Sequence, residues 1–217
     1  MATNPILRLL EDTLPDGAGY GDGLPALNRF LYVAQGSVVA NGREIGADEG
    51  WHASGALELV AGKAGATIWR WELLPSGANP ASLGGPGWRS HEKLSAVLET
   101  LPPAPLLMRG DSVAFPAGGC AFRHVHQGPG TRCLIEGGMR IDTHGRSTSY
   151  AAGGAWFEAG PEPVFAQAAD MPTRFIRCMI LPATLLGQSS IRYVDPADRD
   201  RPKDQRYRQY AEAPIAL

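Results

Sequence analysis

The stretch Gly118-Gly119-Cys120-Ala121-Phe122-Arg123-His124-Val125-His126 decides how this chain is read. Residues i and i+2 of a β-strand project from the same face. His124 and His126 therefore stand side by side on one face of a sheet, where two imidazoles can face one metal ion. Such a site belongs inside a β-barrel. Two strand histidines that are merely exposed or hydrogen-bonded are the plainer use of the same pair.

The surroundings of this stretch read as β-structure. Gly 27 and Pro 18 in 217 residues point to many turns and short strands, and 44% hydrophobic residues are enough for a core. Strand-like runs cover 29–35, 37–40, 56–60 and 66–74, and strand signals return from Leu106 to Val194. Two helices are expected between them. One is a short amphipathic helix over Pro5–Leu14, with Ile6, Leu9 and Leu10 on one side. The other is Ser90–Leu101, capped by Ser90, with Leu94, Val97, Leu98 and Leu101 on one face and Pro102-Pro103 ending it. Residues Pro75–Gly87 read as a linker. The expected division is 1–87, a linker helix at 88–104, 105–195, and a polar C-terminal tail at 196–217.

Charge and cysteine usage exclude several classes of function. The net charge is −2. The most basic stretch, Arg199–Arg206, alternates with acids and reads as solvated, so no nucleic-acid surface is expected. The three cysteines, Cys120, Cys133 and Cys178, are widely spaced and without C-x-x-C, which fits free thiols in a reducing compartment. No apolar run reaches membrane-spanning length, and the N-terminus lacks a signal-peptide pattern, so a cytoplasmic protein is expected. Dinucleotide, phosphate-loop and nucleophile-elbow motifs do not occur.

The two β-rich halves resemble each other in three anchors of the same order. Glu49–Gly55 parallels Gly154–Gly160, Trp69–Pro75 parallels Ile176–Pro182, and Val33–Gly36 parallels Leu134–Gly137. The tryptophans Trp51, Trp69, Trp71 and Trp156 read as packing residues.

The second half resembles the cupin superfamily. Gly118, His124, His126 and Gly137 match the glycine, H-x-H and closing glycine of the first cupin motif. The glutamate of that motif falls at Gly130. In the second motif, around Tyr150–Val164, the histidine falls near Val164. Two of the usual four ligands are thus present by alignment. The first half looks like a second unit without a metal site, with Arg29 at its glutamate position. The resemblance implies an all-β, double-stranded β-helix (jelly-roll) bicupin.

A third metal donor is sought near the pair. Glu158 comes first, since the cupin sheet would place its strand close to the histidines, and Glu162 next; a surface-facing Glu158 is the competing reading. Two histidines and one carboxylate form the facial arrangement of non-haem iron sites. The ion itself, Fe, Zn, Ni or Mn, is left open. Arg132 shares a strand face with the lost glutamate position. It can clamp a substrate carboxylate, pair with Glu158 or another acid, or point to solvent. Arg177 is a similar case, and Gln127 can orient a histidine. His144 reads as a turn histidine.

The expected function is a metal-dependent, dioxygenase-like oxidoreductase acting on a small organic acid or enol. A non-catalytic small-molecule sensor and a cupin isomerase or lyase are the alternatives. The expected partner is a small molecule, with no nucleic acid, no membrane and a homodimeric assembly.

Overall fold

A computed structural model describes residues 4–78, 84, 85 and 87–217. Residues 79–83 and 86 of the expected linker lie outside the described residues. The chain divides into two compact units, 1–99 and 100–216.

The first unit holds β1 (Ile6–Leu14), β2 (Asn28–Ala40), β3 (Arg43–Gly46), β4 (Glu49–Ala53), β5 (Leu59–Leu74) and β6 (Arg89–Val97). They form one antiparallel sheet in the order β3-β2-β5-β1-β6, with β4 also paired to β2. The register between β2 and β5 shifts at Val33/Gln35 and again at Gly36/Val38. Such irregularities bend a strand. One half of β2 carries β4 and the other half carries β3. Leu31, Val33, Val38, Ile45, Leu57 and Ile68 fill the core.

Both expected helices are strands. Ile6, Leu9 and Leu10 fit a helical stripe, yet Leu7, Leu9 and Leu10 are all buried, because β1 runs between β5 and β6. A lone ten-residue helix is marginal, whereas β1 gains a hydrogen-bonded ladder on each side. Ser90 caps nothing; β6 is an edge strand, and the Ser90 hydroxyl donates to Asp12 Oδ1 at 2.5 Å. Among the described residues the only helical elements are the 3-10 turns Ala183–Leu185 and Pro196–Arg199. The described residues form no helix long and apolar enough to cross a membrane.

The second unit holds β7 (Leu106–Phe115), β8 (Cys120–His126), β9 (Gly130–Glu136), β10 (Gly138–Thr143), β11 (Arg146–Ala151), β12 (Ala155–Glu158), β13 (Val164–Ala168), β14 (Thr173–Pro182), β15 (Ile191–Tyr193) and β16 (Arg206–Ile215). They make two five-stranded antiparallel sheets, β11-β10-β13-β8-β15 and β12-β9-β14-β7-β16. Val113, Leu134, Trp156 and Phe175 of one sheet share a core with Met139, Ile141, Val164 and Ala166 of the other. This is the two-sheet packing of a jelly roll. Gly137 turns the chain from β9 into β10 at φ +80°, where a Cβ would lie 2.3 Å from Thr173 Oγ1. The expected polar tail contains β16, which pairs with β7 along most of its length. Cys133 and Cys178 are buried and Cys120 is half-buried, none of them in a disulfide.

Candidate functional site

Alternation along the strands of the second unit sends charged side chains inward. β8 carries His124 and His126, β9 carries Arg132, β12 carries Glu158, β14 carries Arg177 and β7 carries Asp111. All six are buried. With the two histidines neutral, two guanidinium groups are balanced by two carboxylates. Arg177 binds Asp111 through both ends, Nε to Oδ1 at 2.6 Å and Nη2 to Oδ2 at 2.9 Å. Burial alone would lower the Arg177 pKa, but Asp111 outweighs it and raises it.

Glu158 is the centre of the cluster. Its Oε1 accepts from the Trp156 indole N–H at 2.8 Å. Its Oε2 lies 2.8 Å from His126 Nε2 and 2.9 Å from Arg132 Nη2. Neither approach is aligned as a hydrogen bond. Burial would raise the Glu158 carboxyl, but the Arg132 guanidinium and His126 outweigh it and hold it well below the usual carboxylate range. Arg132 is pushed down to about 10 by burial, against the pull of Glu158. Its Nη1 donates to the Gly130 carbonyl oxygen.

The histidine tautomers follow from their partners. His124 Nδ1 lies 2.7 Å from the Phe122 carbonyl oxygen, which can only accept. The Nδ1 hydrogen is therefore fixed there, and His124 Nε2 presents a lone pair. His126 Nε2 lies 3.2 Å from it. One N–H on His126 thus faces two acceptors, His124 Nε2 and Glu158 Oε2. His126 is pushed down to about 3, by burial first and then by the Arg132 charge, so it is neutral near pH 7. Burial lowers His124 as well.

A metal ion needs three or more donors free to turn toward it. Donor chemistry and spacing suit an ion in part: atoms about 2.0–2.2 Å from one ion sit about 3 Å apart, close to the 3.2 and 2.8 Å seen here. The third donor fails the test. Glu158 is already the counter-ion of a buried guanidinium, and a dication there would leave the balanced cluster with two uncompensated positive charges. Among the described residues no group of three or more His, Cys, Asp or Glu side chains can hold a metal ion. As arranged, the residues do not fit the ion.

The other expected residues separate from this centre. Glu162 is on the surface, 3.9 Å from His144 Nδ1. Gln127 points away, its amide donating to the Ser189 carbonyl oxygen at 3.4 Å. Val164 lies directly across the ladder from His124, and Gly130 directly across from Glu158. A Cβ on Gly130 would lie 2.6 Å from the Cys178 carbonyl oxygen, so β9 and β14 leave no room there for a glutamate side chain. Four residues have roles that the sequence reading missed. Asp111 and Arg109 interrupt the apolar run of β7, a signal that could have been read. Trp156 acts through its N–H as well as its ring. Tyr207 lines the barrel from the supposed tail, and no local pattern announces it. The void bounded by His124, His126, Arg132, Glu158, Arg177 and Tyr207 is only about 20 Å3, room for one or two waters.

No protein-family model matches the sequence, and no curated protein does. Solved structures do. The formate complex of Lactobacillus farciminis oxalate decarboxylase is similar with a TM-score of 0.64 at 13% identity, over 90% of this chain and 82% of that one. A single-site variant of Bacillus subtilis oxalate decarboxylase is similar with a TM-score of 0.58 at 14% identity, over 82% of this chain and 69% of that one. A cupin 2 conserved barrel domain protein from Leptotrichia buccalis reaches 0.50 at 12% identity, over 82% and 84%. At such identities the likeness is one of backbone architecture, and with the two-sheet barrel described above it establishes that this chain has the cupin fold.

Proposed function

We propose that the chain is a small-molecule-binding protein of cupin fold, whose chemical barrel is neutralised by arginine. The observation that carries this reading is the commitment of Glu158 to Arg132 at 2.9 Å. A cupin barrel with a resident guanidinium beside its carboxylate has its cation built in. His124 and His126 then serve as neutral hydrogen-bonding groups, and the fold serves as a rigid container.

The test is metal content. Purified protein dialysed against Mn(II), Fe(II) and Zn(II) in turn should retain well below one equivalent of each per chain. Retention of one equivalent, lost on changing His124→Ala together with His126→Ala, would overturn this reading.

That outcome would favour the second one, a metal-dependent oxidoreductase acting on a small organic acid or enol, with His124, His126 and Glu158 as ligands and Arg132 at the substrate. Two observations support it. His124 Nε2 already presents its lone pair to the site. Oxalate decarboxylase of Bacillus subtilis, which shares the fold, has Mn(II) centers. In this second reading Arg132 must release Glu158.

A further inference from the structure

A second cavity of the C-terminal unit, about 270 Å3, lies beside the barrel void. Arg177, Ile191 and Tyr207 border both spaces. The remaining wall comes from Arg109 and Asp111 of β7, Gln209 of β16 and the segment Gln188-Ser189-Ser190. We propose that this cavity binds a neutral, polyhydroxylated small molecule of about monosaccharide size. The inference rests on the ligand-binding reading above and gives that reading a place and a ligand class, since the inner void is too small for either.

Charge excludes the obvious alternative. Two arginines line the cavity, but neither is free. Arg177 is held at both ends by Asp111. Arg109 donates from Nε to Glu212 Oε1 at 2.6 Å and from Nη2 to the Leu185 carbonyl oxygen at 2.6 Å. A carboxylate or phosphate entering here would be desolvated without a cation of its own. An ammonium would meet carboxylates that are already paired.

Hydrogen-bonding capacity points to hydroxyl groups. Gln188 Nε2 donates to the Thr184 carbonyl oxygen at 3.1 Å, and Gln209 Nε2 to Glu212 Oε2 at 3.4 Å. Each amide keeps its carbonyl oxygen as a free acceptor. Asp111 has further lone pairs, and Ser189 adds a hydroxyl. The wall is therefore richer in acceptors than in donors, which suits a ligand rich in O–H donors. Tyr207 is half exposed, and its ring supplies the flat apolar face that the C–H side of a sugar ring packs against.

Saturation-transfer NMR with the intact protein tests the assignment. The probes are D-glucose, D-galactose and myo-inositol, with succinate and putrescine as charged comparators. The neutral polyols should receive saturation and the charged probes should not. Gln188→Leu with Gln209→Leu should weaken polyol binding by at least about tenfold, roughly 1.4 kcal/mol. Tyr207→Ala should weaken it too, with the thermal transition showing that each variant is folded. Succinate or putrescine binding that these variants abolish, without polyol binding, would overturn the ligand class and leave the ligand-binding reading standing. Silence of all five probes would overturn the class and count against that reading as well. Polyol binding untouched by the variants would overturn the site.

Discussion

Arg132 and Glu158 can be taken apart in a double-mutant cycle. The perturbations are Arg132→Met, Glu158→Leu and the two combined. The charges stand 2.9 Å apart and both side chains are buried. With an effective dielectric constant of 20, that separation corresponds to about 6 kcal/mol of attraction, much of it offset by the desolvation of both groups. Removing one partner leaves the other buried and unpaired, which costs roughly 3–5 kcal/mol. Removing both together replaces a buried pair with apolar volume and is close to neutral. Each single variant should therefore lose several kcal/mol, and the double variant should recover most of it, with a coupling energy of about 3 kcal/mol. Urea unfolding at pH 7, followed by tryptophan fluorescence, measures all four corners, and Trp156 reports from within the site. A coupling below about 1 kcal/mol, the range of exposed pairs, would refute the argument that this guanidinium is the cation on which the barrel interior depends.

Acid should destabilise the second unit well above the usual carboxylate range. His126 binds its proton near 6.5 when unfolded but near 3 when folded, so stability falls as pH drops from about 6.5 toward 3, by about 1.4 kcal/mol per pH unit for that one proton; His126→Gln should flatten the upper part of this curve in urea midpoints taken between pH 7 and 5, and an unchanged slope would count against a buried neutral imidazole. In the first unit Glu72 accepts from Arg8, Arg29 and Arg70. Burial raises its pKa, but the three guanidinium groups bring it down to about 2. Its contribution is complete above 4.5 and is lost as pH falls toward 2. Glu72→Gln should cost more than about 3 kcal/mol at pH 7 in the same urea assay, and a loss under about 1 kcal/mol would show that the network is dispensable.

The barrel was legible because its marks are local. Gly118 and Gly137 both adopt positive φ, a requirement that shows in the sequence as glycine whatever the partners are. His124 and His126 share a face because a strand alternates, and Glu158 was found because a lone acid stood in an apolar run. Its partner could not be chosen from sequence. Arg132 reaches Glu158 because β12 pairs with β9, a register visible only in the fold. The two helices were misread for a related reason. Leu94, Val97, Leu98 and Leu101 have helical spacing, yet β1 offers β6 a full ladder, and tertiary pairing overrides a weak local pattern. Tyr207 and Asp111 line one cavity from either end of 96 residues of chain that no local rule spans.

Each unit also carries charge across its ladders. In the first, Arg29 stands opposite Ala53 on one neighbour and Glu72 on the other. In the second, Gly130 stands opposite Glu158 and Met179. The first crossing thus joins two charged side chains, Arg29 and Glu72, and the second carries one, Glu158.

The tightness of the chain at Gly130 closes this position to a carboxylate side chain. Gly130→Glu would have to build a carboxylate side chain at this point. The resulting side chain would have to start from a Cβ pressed against the Cys178 carbonyl oxygen. The backbone as it runs leaves a glutamate no place there. A richer donor set is reached instead through Val164, which already sits across the ladder from His124. The donors this barrel can carry are therefore governed by how closely two strands approach, and an engineer would have to begin at the same place.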